Sequence, residues 1–138
     1  MIKPSLTEIS SPIKAELDRF NDIFKEAMRS NVGLVDLVAR YIIRQKGKKI
    51  RPLLVLLSAK LCGGITERSY RGAVLVELLH TATLIHDDVV DNADKRRGMF
   101  SINALFKNKV AVLMGDYLLS RGLMTSIAGK DYAFLGVT

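Results

Sequence analysis

Cysteine is all but missing from this chain: Cys62 stands alone among 138 residues. No disulfide can close within it, and one thiol fits a reducing compartment. Tryptophan is absent, and proline occurs only at Pro4, Pro12 and Pro52. So few helix breakers leave long stretches free to coil. No apolar run is longer than Leu53 to Leu57, far short of the roughly 20 residues that span a bilayer. The opening MIKPSLTEISSPIKAELDRF lacks the continuous apolar stretch of a secretory signal. Internal repeats, low-complexity segments and sustained strand-like alternation are missing too. These absences argue against a disulfide scaffold and a membrane-spanning helix, and the chain reads as cytoplasmic.

What is present is apolar and basic. Hydrophobic residues make up 49% of the chain, enough to build a core, in one domain or part of one. The net charge is +7, as expected of a chain that meets anions, whether nucleic acid, a membrane surface or phosphorylated small molecules. Charge alone does not choose among them.

The apolar periodicity predicts an all-α protein. Ser11-Pro12 looks like a cap followed by proline at the first helical position. Ile13, Leu17, Phe20, Phe24 and Ala27 then recur every three or four residues. Gly33 breaks that helix near residue 30, and a second runs from Leu34 to about Gln45. Lys46 to Pro52 reads as a basic loop. A third helix runs from Leu53 to about Cys62 and stops at Gly63-Gly64. Thr66 caps a fourth, which reaches about Asp91 and is apolar on nearly every side, so it belongs inside a bundle. Asn92 to Gly98 is a polar loop. Ser101 caps a short helix ending near Phe106, and a last long helix runs from about Lys109 to Ala128.

The chemistry concentrates at the end of the fourth helix, in His86-Asp87-Asp88-Val89-Val90-Asp91. Asp87 and Asp91, four apart, share a face. One or two carboxylates, completed by waters and substrate phosphates, are what Mg²⁺ prefers. His80, Leu84, Asp87 and Asp91 fall on one stripe, with His80 about 10 Å below Asp87 along the axis. Thr83 and Ala82, four and five residues before Asp87, are small and leave the wall beneath the metal open. Two basic clusters bracket this helix: Arg44, Lys46, Lys48, Lys49 and Arg51 before it, Lys95, Arg96 and Arg97 after it. Arginine forks match phosphate oxygens. Carboxylates for a metal beside arginines for a phosphate point to a diphosphate site. Each part alone has a plain reading, as a solvated acidic helix end, a solvated basic face or a core histidine; their order and spacing together favour the site.

Taken in order, Gly47-Lys48-Lys49-Ile50-Arg51-Pro52, the run Glu77 to Asp91, Arg96-Arg97-Gly98 and Leu113-Met114-Gly115-Asp116-Tyr117-Leu118-Leu119 resemble the N-terminal half of the trans-type isoprenyl diphosphate synthases, also called polyprenyl synthetases. The resemblance covers about residues 40 to 125. It implies an orthogonal helical bundle of the isoprenoid synthase type and Mg²⁺-dependent condensation of an allylic prenyl diphosphate with isopentenyl diphosphate. It implies that Asp87 and Asp91, with Asp88 beside them, hold Mg²⁺ against the allylic diphosphate, that Arg96 contacts the same diphosphate, and that Lys48, Arg51, His80 and Arg97 hold isopentenyl diphosphate. Small residues at Ala82 and Thr83 resemble those of enzymes making longer products. A homodimer through the last long helix is implied as well. The family's second aspartate-rich motif does not occur before Thr138. The expectation is therefore the N-terminal part of a single all-α synthase domain, inactive or nearly so alone and prone to associate through exposed apolar surface. A terpene cyclase, a non-catalytic subunit and a basic nucleic-acid binder are the rival readings. The basic loop and His80 disfavour the first. The intact acidic and arginine motifs disfavour the second. The aspartate cluster, which would repel nucleic-acid phosphate, disfavours the third.

Overall fold

The computed structural model describes residues 3–45 and 47–137. Lys46, from the first basic cluster, and Thr138 lie outside the described residues. The architecture is all-α, as the periodicity predicts. Its helices are α1 (Leu6–Ser10), α2 (Lys14–Met28), α3 (Gly33–Arg44), α4 (Ile50–Leu61), α5 (Glu67–Val90), α6 (Ile102–Phe106), α7 (Asn108–Ala128) and α8 (Tyr132–Val137). None of them is long and apolar enough to cross a membrane.

Helix α5 runs through the middle. It packs most extensively along α7 and also meets α4, α2 and α6. Its Tyr70, Ala73, Val74, Leu78, Ala82 and Ile85 join Phe20, Phe24 and Met28 of α2, Val38 and Ile42 of α3, Leu53 and Leu56 of α4, and Met114 and Leu118 of α7 in one buried cluster. The seam with α7 is close because α7 turns small residues toward it. Ala111, Gly115, Gly122 and Ser126 are all buried, and a Cβ at Gly122 would already stand 3.2 Å from the Leu75 side chain. Helix α7 also closes the end of α2. Tyr117 donates its hydroxyl to the Arg29 carbonyl at 3.0 Å, and Arg121 Nε donates to the Ala27 carbonyl at 2.9 Å. These are carbonyls that a helix end leaves without intrahelical partners.

Three local expectations need correction. The first cap is not at Ser11. Ser5 and Glu8 form a reciprocal capping box that starts α1, and Ser11–Ile13 is a 3₁₀ turn leading into α2. The basic loop is shorter than expected: α4 begins at Ile50, so Arg51 and a buried Pro52 occupy its first turn, where proline's missing N–H costs nothing. The loop after α5 contains a minimal hairpin, β1 (Lys95–Arg96) paired antiparallel with β2 (Met99–Phe100). Its turn residues Arg97 and Gly98 both have positive φ, at 53° and 78°, the geometry that matches strand twist in a two-residue turn. The remaining boundaries follow the predicted ones, including the stop at Gly63-Gly64, Thr66 before α5 and the Ser101 cap, whose hydroxyl accepts from the Ala104 N–H.

Candidate diphosphate site

The three aspartates at the end of α5 point in two directions, since each step on a helix turns about 100°. Asp87 is exposed, and so is Asp91, one turn on, tied to Asp87 by an N–H···O=C bond of 2.8 Å. Asp88 is buried instead, at 4% exposure. Arg96 grips it with two donors, Nε at 3.2 Å and Nη2 at 2.5 Å. The hairpin makes this possible by folding the chain back over the helix end, and Ser101 Oγ and Asn103 Nδ2, both donating to the Ala93 carbonyl, pin its base. Asp88 and Arg96 thus satisfy one another, while Asp87 and Asp91 face outward with their carboxylates available. Among the described residues no three acidic, imidazole or thiol groups converge into a ready-made metal cage. Two outward carboxylates on adjacent turns fit Mg²⁺, which shares its coordination between protein and phosphate oxygens.

Two turns below Asp87, His80 Nε2 accepts from Arg51 Nη1 at 3.1 Å. Partial burial, then the charges of Arg51, Arg97 and Arg96, hold the His80 imidazole below its ordinary pKa, with Glu77 opposing. Arginines from both basic clusters, more than 40 residues apart in sequence, thus act on one imidazole of α5. Arg97 bends back over Gly47. Lys48 is exposed on the α2 side of the same loop, in a groove with Lys14, Asp18 and Asn21. Thr83 lies on the open face and donates its hydroxyl to the His80 carbonyl at 2.7 Å. Ala82 is buried at 3% exposure, within the core cluster.

Three residues near the site carry no role from the sequence reading. Lys49 adopts a left-handed backbone at φ 50° and lays its Nζ 4.8 Å from the Phe24 ring centre. Burial, reinforced by Arg97 and Lys25, holds its ammonium below the ordinary lysine range against the pull of Glu77. Glu77 is a buried carboxylate at 5% exposure, a charged residue inside an apolar run. His86 turns away from the acidic edge and rests on α7 at Gly115.

The open stripe of α5 continues downward through Val76, Gly72 and Ser69. These residues line an apolar hollow of about 640 Å³ together with Val55 and Ala59 of α4 and Phe134 and Val137 of α8. Gly72 is about 22 Å from Asp87 along the axis.

The family model described as polyprenyl synthetase matches residues 33–132. The chain is 38% identical over 115 residues to an all-trans-nonaprenyl-diphosphate synthase (geranyl-diphosphate specific) of Rhodobacter capsulatus, covering 83% of this chain and 35% of that one. It is 38% identical over 125 residues to the octaprenyl diphosphate synthase of Escherichia coli (strain K12), covering 89% and 39%. Among solved structures, the polyprenyl synthase of Caulobacter crescentus CB15 complexed with calcium and isoprenyl diphosphate superposes with a TM-score of 0.86 and 30% identity, covering 93% of this chain and 39% of that one. The chain therefore spans a little over a third of the length of these relatives.

Proposed function

The chain belongs to the polyprenyl synthetase family, and from that membership we propose that it supplies the diphosphate-binding wall of a Mg²⁺-dependent prenyltransferase that joins an allylic prenyl diphosphate to isopentenyl diphosphate. The observation that carries this reading is the hydrogen bond from Arg51 to His80, below Asp87 on the open stripe of α5, with Arg97 of the second basic cluster folded back over Gly47 of the first. Two anionic groups, one at each level, need cations from both loops.

In this proposal Asp87 and Asp91 hold Mg²⁺ against the allylic diphosphate. Bound there, the metal supplies the charge neutralisation that makes diphosphate a competent leaving group. Arg97, Arg51, His80 and Lys48 bind the diphosphate of isopentenyl diphosphate. Arg96 is engaged by Asp88, so it acts on the allylic diphosphate through the edge of that pair. The apolar side chains of α5 shield the allylic cation from water. The exposed Thr83 and the hollow around Gly72 favour a medium or long product. Calcium and isoprenyl diphosphate in the Caulobacter structure support the same pairing of divalent cation and prenyl diphosphate. We further propose a cytoplasmic homodimer. Its interface would be the outer face of α7, which exposes Val112, Leu113, Leu119, Leu123, Met124 and Ile127.

The test is prenyl transfer with labelled isopentenyl diphosphate, an allylic primer and Mg²⁺. The chain is assayed alone and together with a chain supplying the remaining length of a relative. Longer prenyl diphosphates in the combined assay support the proposal. Hydrocarbon released from the allylic diphosphate alone would favour a cyclase, and no product in any arrangement would reject both.

A further inference from the structure

Asp87 stands between two residues that leave α5 on opposite sides. Asp88 is turned about 100° one way and is held by Arg96 of the hairpin. His86 is turned about 100° the other way, onto α7. There its Nε2 lies 3.2 Å from the Val112 carbonyl oxygen and 3.4 Å from Asp116 Oδ1. Both neighbours accept hydrogen bonds, so Nε2 carries the proton and donates. The ring fits only because residue 115 is glycine: a Cβ there would fall inside the imidazole, against Nε2, Cδ2 and Cε1. Among the described residues Asp87 is held through the helix backbone alone, so the placing of that backbone by the two flanking contacts bears on its direction.

We propose that His86 is a positioning residue, one arm of a two-sided brace that fixes the last turns of α5 between α7 and the hairpin and so sets the direction of the Asp87–Asp91 edge. The consequence for metal binding rests on the magnesium diphosphate reading above; the brace itself does not. Groups hydrogen-bonded to a metal ligand typically change affinity by about 10–100-fold when removed; His86 acts one step further back, through the helix that carries Asp87. A residue that only filled space would change stability and leave affinity alone.

The test uses the 138-residue chain, Mg²⁺ and inorganic pyrophosphate. ¹⁵N NMR of the imidazole should place the His86 proton on Nε2; a proton on Nδ1 alone would overturn the brace. His86→Leu should weaken uptake of magnesium pyrophosphate several-fold, less than the roughly 10–100-fold seen when a group bonded to the ligand itself is removed. His86→Gln, which keeps an N–H donor at similar reach, should recover most of that loss, with the two variants melting within a few degrees of each other. Unchanged binding by the Leu variant would overturn this inference alone. Equal losses in both variants, together with a common drop in melting temperature, would reduce His86 to a packing role and overturn it too. A wild-type chain that takes up no magnesium pyrophosphate would instead overturn the diphosphate reading and the metal-positioning role that rests on it.

Discussion

Gly47 lies directly beneath the guanidinium of Arg97: a Cβ at position 47 would stand 2.7 Å from Nη1 and 2.8 Å from Cζ. The glycine of the first basic segment thus makes room for the arginine of the second. Gly47→Ala should push the Arg97 head aside. The displaced atoms are the end of a flexible side chain, so the stability cost should stay below about 1 kcal/mol. Pyrophosphate binding should fall several-fold. Thermal melts and calorimetric titration of the same variant separate the two effects. A large loss of stability with unchanged binding would show that Arg97 is not aimed at a ligand.

Asp87 and Asp88, neighbours in one motif, should behave oppositely. Asp87→Asn removes an exposed carboxylate and should shift stability by no more than about 0.5 kcal/mol while abolishing Mg²⁺-dependent binding. Asp88→Asn breaks a buried ion pair with Arg96 and should cost about 2–4 kcal/mol, because the arginine loses its counter-charge. Denaturant unfolding of the two variants makes the comparison. Equal destabilisation would contradict the assigned geometry.

His80 should titrate below its ordinary value of 6.5, for burial and then Arg51 lower it. The unfolded chain takes up the proton first. Stability should therefore fall as pH drops through 6.5 toward the folded value, and level off below it. Arg51→Gln should raise the midpoint only part of the way, since burial remains. NMR titration of His80 reads both. A midpoint above 6.5 would mean that the arginines do not converge on this imidazole.

Asp131 anchors α8. It is buried at 3% exposure and accepts from Arg71 Nε and Nη2 at 2.5 and 3.2 Å, with Arg68 Nε at 3.5 Å. The hydrogen bonds from Arg71 hold its carboxyl below the ordinary 3.8. Its stabilisation is complete above that value and is lost as pH falls through the lower folded value. Asp131→Asn should cost about 2–4 kcal/mol at neutral pH and flatten the acid limb of the stability curve. An unaltered acid limb would assign that limb to other carboxylates.

The sequence made the long helices legible because their signals are local. Gly63-Gly64 and Thr66 bracket the start of α5, and Ser101 announces α6. The capping box at Ser5 and Glu8 was equally local, but it lies outside the apolar stripe that defines α2. The hairpin carries two-residue strands, too short for alternation to register, and an arginine in the first positive-φ position of its turn. The acidic motif was legible as a motif but not as three separate carboxylates. The helical step of about 100° separates Asp88 from Asp87 in principle, but only the fold shows that Arg96 waits on that side. Likewise Ala82 and Thr83 are adjacent in sequence yet lie in the core and on the open face. Gly47 and Gly115 were illegible in their roles, since each is small for a side chain, Arg97 or His86, that arrives from far along the chain.

On the proposed function, α5 ends in a magnesium-dependent diphosphate site completed by arginines from both loops. Residue-resolved NMR of the chain titrated with pyrophosphate tests it most directly, with Mg²⁺ and then with EDTA. Mg²⁺ and pyrophosphate together should shift the signals of Asp87, Asp91, Arg51 and Arg97, and EDTA or Asp87→Ala should remove the shifts at Asp87 and Asp91. Pyrophosphate binding that is indifferent to both, or shifts confined to other surfaces, would contradict it.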